Sequence, residues 1–236
     1  MNTINYLWTP PATASLPVRG TSARYPVKRI FLVGRNYHAH ALEMGAPVDK
    51  ASARPMYFTK SNSALVESGA TVPYPPATAD YHYEMELVVA LGAPGFRVAP
   101  DAAGAMIYGY ACGLDMTRRD LQAAARAKGH PWDVAKNVEQ SAVISEIVPA
   151  NELGVLSSGA ITLALNGETR QSADLSDLIW SLPELIADLS TYYHLAPGDL
   201  IYTGTPEGVG EVRPGDRLHG RIAGVGEIEL TIGAPE

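Results

Sequence analysis

The chain consists of short apolar runs separated by glycine and proline, a pattern that predicts many strands and few helices. Residues 29–33, 55–58, 105–114 and 162–165 are apolar or β-branched. In the run 83–91, polar and apolar residues alternate before a β-branched stretch, which predicts a further strand. Asn-Gly at 166–167 favours a type I′ hairpin turn. Pro-Gly-Asp occurs at 197–199 and again at 214–216, each time before a predicted strand.

Three segments have helical patterns. Residues 38–44 form a short one that ends at a glycine and a proline. A second is predicted to begin at Thr117 as its N-cap, with Asp120 completing a capping box, and to stop at Gly129. The third begins near residue 181 and has an apolar face that extends to Tyr193. Many strands with few intervening helices predict an α+β fold, a β-rich roll or sandwich, rather than a doubly wound sheet.

Length and composition narrow the class of protein. At 236 residues the chain is long enough for one large domain, preceded by a segment (residues 1–25) rich in Pro, Thr, Ala and Ser that predicts a short strand and then an irregular arm. A net charge of −7 argues against a nucleic-acid surface, and the single Cys112 excludes an intramolecular disulfide and a thiolate metal cluster. Residues 1–11 lack the pattern of a signal peptide, and no apolar run reaches the roughly 20 residues of a membrane span. We therefore expect a cytoplasmic protein.

Two glutamates in the 83–91 run carry the strongest indication of function. Glu84 and Glu86 are two residues apart, so on a strand their side chains share a face with Val88 and Ala90. Adjacent carboxylates repel each other and resist burial unless a cation neutralises them. Oxygen ligands of this kind suit Mg²⁺, Mn²⁺ or Ca²⁺. Alternatively, the two side chains are solvated on an exposed strand.

Asp115 is a candidate third ligand. It ends the apolar run 105–114 and leads directly into the second predicted helix, where it can meet ligands from a neighbouring strand. The competing role is helix capping. His82 shares the face of the two glutamates and is a further, weaker candidate that would favour Zn²⁺ or Mn²⁺.

The 38–44 segment contains a candidate general base. His40 and Glu43 are three apart, so on a helix they are neighbours on one face. A carboxylate beside an imidazole raises its basicity and orients it, so that it can activate water. A solvated surface pair and a metal-ligating pair are the alternatives. Flanking glycine and proline make the segment a candidate for a mobile lid.

Two more segments are candidates for contacts with a ligand. Lys136 lies in a weakly apolar stretch, where carboxylates or a bound anion would stabilise its charge. Residues 201–210 run from a strand into a glycine-rich turn, which lacks the pattern of a nucleotide-binding loop. Its free backbone N–H groups and the Thr205 hydroxyl are suited to holding a carboxylate.

Taken together, the motifs resemble the fumarylacetoacetate hydrolase family. The matching motifs, from about Lys28 to the C-terminus, are the sequence Gly-Arg-Asn-Tyr-x-x-His at 34–40, Glu-x-Glu-Leu at 84–87, Asp-x-Thr-x-Arg-Asp-x-Gln at 115–122, Lys-Gly-x-Pro-Trp-x-x-Ala-Lys at 128–136 and Thr-Gly-Thr-Pro-x-Gly-Val-Gly at 203–210. The acylpyruvate hydrolase subgroup is the most similar, and the arm resembles that of bacterial fumarylpyruvate hydrolases. The resemblance implies an N-terminal arm over 1–27 and a catalytic domain over 28–236.

The resemblance also implies roles for individual residues. Mg²⁺, or else Mn²⁺ or Ca²⁺, would be held by Glu84, Glu86 and Asp115. His40 and Glu43 would activate water on a lid that orders over ligand, with Lys136 beside the metal. The implied contacts to substrate are made by Arg35, Arg119, Gln122 and Thr205, although Arg119 has a structural role as its alternative. A homodimer of two-fold symmetry is implied.

The implied reaction is hydrolysis of a C–C bond in an acylpyruvate, a 2,4-dioxo acid, with fumarylpyruvate giving fumarate and pyruvate. Such a reaction belongs to aromatic compound catabolism, in the gentisate pathway. Oxaloacetate decarboxylation and isomerisation of a 2-oxo-dienedioate use the same metal-stabilised enolate and remain alternatives. A non-catalytic dicarboxylate-binding or Ca²⁺-binding protein is a third. The sequence leaves open the acyl group, the physiological metal, and which of Arg35, Arg54 and Lys60 would pair with a distal carboxylate.

Overall fold

A computed structural model describes residues 4–235 and contains five short α-helices and 18 short strands. The helices are α1 (His38–Glu43), α2 (Pro100–Ala103), α3 (Arg119–Lys128), α4 (Asp133–Lys136) and α5 (Leu182–Tyr192). The first nine strands are β1 (Ser15–Pro17), β2 (Arg24–Pro26), β3 (Arg29–Val33), β4 (Tyr57–Lys60), β5 (Leu65–Glu67), β6 (Ala70–Tyr74), β7 (Tyr81–Tyr83), β8 (Met85–Leu91) and β9 (Ile107–Asp115). The others are β10 (Thr117–Arg118), β11 (Ala142–Ile144), β12 (Val148–Pro149), β13 (Ala160–Leu165), β14 (Glu168–Asp174), β15 (Asp199–Tyr202), β16 (Gly210–Glu211), β17 (Arg217–Ile222) and β18 (Gly226–Pro235).

The predicted β-rich α+β fold is confirmed, and the strands form two large mixed sheets. An eight-stranded sheet has the order β4-β3-β15-β8-β9-β11-β5, with β12 also paired to β9. A five-stranded sheet has the order β14-β13-β17-β18-β6. Three pairs of neighbours are parallel, namely β3 with β15, β5 with β11 and β6 with β18. The other strand pairs in residues 4–235 are antiparallel, which matches the lack of long crossover helices in the sequence.

Both faces of the central strand β8 are buried, and they face different partners. Met85, Leu87 and Val89 belong to the large core cluster, which also includes residues of β13, β17 and β18. Val88 and Ala90 belong to a second cluster, which includes Leu16 and other residues of the N-terminal arm. Because side chains alternate along a strand, the two clusters pack on opposite faces of β8. Glu86 lies on the same face as Val88 and Ala90, toward the second cluster.

Several predicted boundaries are confirmed. α3 stops at Gly129, which has a φ of 64° that an L side chain rarely adopts. β13 and β14 form a hairpin whose two turn residues, Asn166 and Gly167, both have positive φ, as a type I′ turn requires. Strands follow both Pro-Gly-Asp sequences. None of the helices in residues 4–235 combines the length and the apolar character needed to cross a membrane.

Other local predictions are wrong. Thr117 does not cap α3, because it pairs with His82 between β10 and β7, and Arg118 occupies the cap position. Asp120 forms no capping box, since its carboxylate accepts hydrogen bonds from Thr78 Oγ1 and the Ala79 amide.

Two further predictions along the chain need correction. The apolar face of α5 does not extend to Tyr193, which follows the helix and is 42% exposed. In the N-terminal arm, the predicted order of a strand followed by an irregular segment is wrong. Residues 5–14 contain no strand, and β1 and β2 follow them. Residues 1–3 lie outside the described part of the chain.

Candidate active site

Three buried carboxylates meet where β7 is succeeded by β8 and where β9 ends. One oxygen each from Glu84, Glu86 and Asp115 lies within 4.8 Å of the other two. The prediction that these acids converge is therefore confirmed. They form a divalent metal site, because clustered carboxylate oxygens are the donors that hard cations prefer.

The predicted single strand through both glutamates is interrupted at Glu84. β7 belongs to a small three-stranded sheet (β10-β7-β16) and β8 to the eight-stranded sheet, so the chain crosses from one sheet to the other at this residue. The Glu84 carbonyl accepts a hydrogen bond of 2.9 Å from the amide of Asp115, which continues the register of both the β8–β9 and the β7–β10 pairs. Antiparallel pairing that continues across Glu84 therefore places Asp115, at the end of β9, beside the two glutamates.

Three cationic side chains surround the carboxylates. Lys136 Nζ donates to Glu84 Oε2 at 2.7 Å, to Asp115 Oδ2 at 2.6 Å and to Thr117 Oγ1 at 2.7 Å. Arg119 Nη2 donates to Glu84 Oε1 at 2.5 Å. Lys60 Nζ lies 2.8 Å from Asp115 Oδ1. Charge-assisted contacts of this kind fix the carboxylates in orientation.

The surroundings shift the pKa values of Glu84 and Glu86 in opposite directions. Burial by itself would raise the pKa of Glu84, but the charges of Lys136 and Arg119 hold that pKa well below its usual range. Burial, reinforced by the negative charges of Asp115 and Glu84, raises the pKa of Glu86 well above its usual value. Burial also lowers the pKa of Lys60 to about 8, against the opposing effect of Asp115.

The contacts of Asp115 and Glu86 fit a bound divalent cation. Asp115 Oδ1 is buried and accepts no hydrogen bond of regular geometry in residues 4–235, although Lys60 Nζ lies 2.8 Å away in a salt bridge. Glu86 accepts a hydrogen bond at Oε2 from the Gly204 amide, 2.7 Å away, and forms no salt bridge with any cationic side chain in residues 4–235. A hard divalent cation suits both groups, since it neutralises Glu86 and takes Asp115 Oδ1 as an oxygen ligand.

His40 and Glu43 form the predicted pair on α1. His40 is buried, and its Nδ1 lies 2.9 Å from Glu43 Oε2. If Nδ1 carries the proton, it donates to that carboxylate and Nε2 is left as an acceptor. Glu43 Oε1 in turn accepts a hydrogen bond of 3.0 Å from the Gly208 amide. The imidazole is thus held in one orientation by a carboxylate that is itself held by the backbone.

The glycine-rich turn after β15 binds the protein's own carboxylates. We expected its free N–H groups to hold a carboxylate, and the Gly204 and Gly208 amides donate to Glu86 and to Glu43. Gly204 has a φ of +99°, and a Cβ there would lie 2.7 Å from the Cβ of Asn36. Thr205 is buried and its hydroxyl accepts from Gln171 Nε2 at 2.8 Å, so its contact with substrate stays a prediction.

A cavity of about 590 Å³ opens beside the carboxylates. Four of the predicted site residues line it together with Glu84, namely Arg35, His40, Arg119 and Gln122. Arg119 Nη1 donates to Gln122 Oε1 at 2.5 Å, so these two side chains and Glu84 form one hydrogen-bonded chain. From the predicted site residues, the cavity therefore brings a candidate base, an amide and two guanidinium groups together with Glu84 of the metal site.

The structure distinguishes the three cationic residues that the sequence left as candidates to pair with a distal carboxylate. Arg35 lines the cavity. Lys60 is buried beneath the carboxylates and donates to Met116 O, Ser141 O and Ser141 Oγ. Arg54 is exposed and lies 3.9 Å from Asp188. His82 is not among the clustered ligands, and its Nε2 lies 2.7 Å from Asp80.

Sequence reasoning missed several residues that support the site. Asn36 donates to the carbonyls of Trp180 and Thr203, and so ties the segment before α1 to the glycine-rich turn. The roles of Lys60, Gly204 and Gly208 have no local signature, because their partners are far away in sequence. Asn36 belongs to the motif at 34–40, and an amide that closely follows an apolar strand is the one local signal of its supporting role.

Comparison with known proteins identifies the family. The model of the fumarylacetoacetate hydrolase C-terminal domain matches residues 29–233. A fumarylpyruvate hydrolase from a Ralstonia species is 62% identical over 193 residues, which are 82% of this chain and 100% of that protein. A mitochondrial oxaloacetate tautomerase from Arabidopsis thaliana is 39% identical over 204 residues, covering 86% of this chain and 90% of that protein.

A solved structure agrees with the fold over almost the whole chain. The fumarylpyruvate hydrolase of Pseudomonas aeruginosa, crystallised in complex with Mn²⁺ and pyruvate, superposes with a TM-score of 0.93 at 44% identity. The match covers 98% of this chain and 100% of that one. The order of motifs, the clustered carboxylates and these similarities agree with one another. The chain therefore belongs to the fumarylacetoacetate hydrolase family.

Proposed function

We propose that this protein is a divalent-metal-dependent hydrolase that cleaves the C–C bond of an acylpyruvate, with fumarylpyruvate giving fumarate and pyruvate. The observation that carries the proposal is the position of His40, which lines the same cavity as Glu84 and is oriented by Glu43. The similarity to the Ralstonia fumarylpyruvate hydrolase supports the substrate. The Mn²⁺ and pyruvate in the Pseudomonas aeruginosa structure support the metal and one product.

The metal site and its neighbours would bind the pyruvate half of the substrate. Glu84, Glu86 and Asp115 would hold Mg²⁺, with Mn²⁺ or Ca²⁺ as alternatives. A bound divalent cation supplies Lewis-acid polarisation of carbonyl oxygens. Lys136 adds a fixed positive charge next to the same carboxylates and would stabilise negative charge that develops on the substrate. Gln122 and Arg35 would contact the substrate from the cavity wall, and Arg119 would fix Glu84.

His40, oriented by Glu43, would activate the attacking water molecule. His40 takes a proton from a water molecule, and the resulting hydroxide attacks the C4 carbonyl carbon. The bond from C3 to C4 then breaks, and its electron pair remains on C3 as the enolate of pyruvate. Proton transfer to C3 releases pyruvate, and C4 leaves as the new carboxylate of fumarate. The new carboxylic acid at C4 ionises and releases one proton to solvent, so that atoms and charge balance with one water consumed.

A substitution at His40 tests this assignment. We expect His40→Ala to lower kcat for fumarylpyruvate by about 10²- to 10⁴-fold, the usual contribution of a general base, while the affinity for Mn²⁺ is unchanged. His38→Ala is the matched control, because His38 lies on the same helix and is exposed. A normal rate of pyruvate release in the His40 variant would remove the proposed base.

A second activity is favoured by one specific similarity. The Arabidopsis relative is an oxaloacetate tautomerase, and the proton transfers of tautomerisation need a base but no attacking water. Decarboxylation of oxaloacetate and isomerisation of a 2-oxo-dienedioate remain related alternatives. Comparing kcat/KM for fumarylpyruvate and for oxaloacetate, with separate assays of pyruvate and of the enol form, separates them. Binding of acylpyruvates without any turnover would instead favour a non-catalytic dicarboxylate-binding protein.

The biological setting follows from the same proposal. We place the reaction in aromatic compound catabolism, in the gentisate pathway, and in the cytoplasm. We also propose a two-fold homodimer with residues 1–27 as an arm and 28–236 as the catalytic domain. Light scattering on the purified protein measures the assembly directly.

A further inference from the structure

Three arginines line the cavity, and they differ in how their charges are balanced. Arg119 donates to Glu84, so a carboxylate neutralises it. Arg35 and Arg126 form no salt bridge with a carboxylate of residues 4–235. Two uncompensated cations that face one cavity create a positive potential there, which favours an anionic ligand.

The two unpaired guanidinium groups are held by the same short segment. Arg126 donates from Nη1 to Met44 O at 2.8 Å and from Nη2 to Gly45 O at 3.4 Å. Arg35 donates from Nη1 to Ala46 O at 3.3 Å. An arginine carries five N–H donors, so each keeps several free for a ligand. Residues 44–46 directly follow α1, the helix that carries His40 and Glu43.

The position of Arg126 along α3 sets its distance from the metal-binding carboxylates. Arg119 stands at the start of α3 beside Glu84, and Arg126 lies seven residues later, roughly 10 Å along the helix axis. Ala123 lies between them on α3 and lines the cavity, which is also lined by the apolar side chains of Met56 and Trp132. Along α3 the order is therefore Arg119 beside Glu84, then Ala123, then the cationic Arg126.

We propose that Arg126, together with Arg35, binds the distal carboxylate of the acyl group and makes the protein selective for diacid acylpyruvates. This inference rests on the proposed function and adds its specificity determinant. The substrate that fits carries its 2-oxo acid at the metal end, an unsaturated hydrocarbon chain along the apolar side chains of the cavity and a second carboxylate at the far end. Binding that carboxylate also fixes residues 44–46, and with them the end of α1.

The experiment compares two substrates of equal length that differ at one end. Fumarylpyruvate carries the distal carboxylate, and crotonylpyruvate carries a methyl group in its place. In Arg126→Gln we expect kcat/KM for fumarylpyruvate to fall roughly 10- to 100-fold, mainly through KM, because a charged hydrogen bond is lost. The ratio of kcat/KM between the two substrates should fall by the same factor. Arg126→Lys keeps a point charge and should recover part of the selectivity.

A matched control distinguishes the loss of a positive charge at the end of α3 from the loss of a side chain that lines the cavity. Lys128→Gln removes a positive charge from the same last turn of α3, and Lys128 does not line the cavity, so its selectivity ratio should equal that of the wild type. An equal loss of kcat/KM on both substrates in Arg126→Gln would mean that Arg126 only supports residues 44–46, and no loss on either substrate would mean that it contacts no carboxylate of the substrate. Either result overturns the proposal.

A binding measurement keeps the test independent of turnover. Calorimetry with fumarate and crotonate, a dicarboxylate and its methyl analogue, should show a preference for fumarate in the Mn²⁺-loaded wild type that Arg126→Gln removes. If the wild type hydrolyses neither acylpyruvate, the proposed function fails while this preference still tests the subsite. If it hydrolyses both substrates and binds fumarate no better than crotonate, the subsite fails alone.

Discussion

Removal of the Lys60 ammonium group tests how the carboxylate cluster is held together in the absence of metal. The Lys60 and Asp115 side chains are both fully buried, with 2.8 Å between Nζ and Oδ1. Nζ also donates to Met116 O and to both oxygens of Ser141. Lys60→Met preserves most of the side-chain volume and removes every one of these contacts. It therefore leaves Asp115 with one cation instead of two.

The expected cost follows from the partners that remain. Breaking a buried ion pair by removing one partner costs about 3–5 kcal/mol. Asp115 keeps Lys136 at 2.6 Å from Oδ2, which places the expected loss at the lower end, about 3 kcal/mol of unfolding free energy. Bound Mg²⁺ would supply the missing positive charge. The loss should therefore be smaller when the metal is present.

Urea denaturation in EDTA and again in saturating Mg²⁺ measures both values. Lys50→Met is the matched control, since Lys50 is exposed and pairs with Glu184 on the surface, where a salt bridge contributes about 0–1 kcal/mol. The double variant with Asp115→Asn should lose less than the sum of the single variants, because the two residues interact directly. A loss in EDTA no larger than that of Lys50→Met would refute the reasoning.

Two further predictions concern Glu86 and the turn that holds it. Because burial and neighbouring carboxylates raise the pKa of Glu86, its proton must leave before a metal binds, so metal affinity should increase with pH up to that raised pKa and binding should release protons. Calorimetry in buffers of different ionisation enthalpy measures the release, and an affinity that stays constant through the acidic range would contradict it. Gly204→Ala should destabilise the fold by roughly 1–3 kcal/mol and weaken metal binding, because φ is +99° and a Cβ would lie 2.7 Å from Asn36 Cβ. Gly215→Ala is the control in thermal unfolding, since it shares a positive φ of +96° but has open space around it, and an equal effect of the two would show that contact with Asn36 is unimportant.

Most of the fold class followed from local patterns. Alternation along 83–91 and the short apolar runs predicted a β-rich domain, because a strand places successive side chains on opposite faces. The errors occurred where tertiary contacts replaced local ones. Thr117 is suited to a helix cap, but its hydroxyl accepts from Lys136 and its backbone pairs with β7. Thr117 therefore contacts the carboxylate cluster instead of forming the helix cap that its neighbours in sequence indicated.

The candidate chemistry was visible where partners lie close together in the sequence. His40 and Glu43 are three residues apart, and Glu84 and Glu86 two, so helix and strand geometry alone made each pair adjacent. Motif order then linked these pairs to Asp115 and Lys136. Nothing local marked Lys60 as a partner of Asp115, or Arg126 as part of the cavity wall.

By itself, then, the sequence determined which side chains can serve as ligands and base, because spacing along one element fixes their relative direction. Only the tertiary structure decided what holds them. Gly204 reaches Glu86 across 118 residues, and Gly208 reaches Glu43 across 165. Contacts over such separations depend on strand order, on register and on the crossing between sheets at Glu84. Those are properties of the packed molecule, set by burial of the whole core rather than by any single segment.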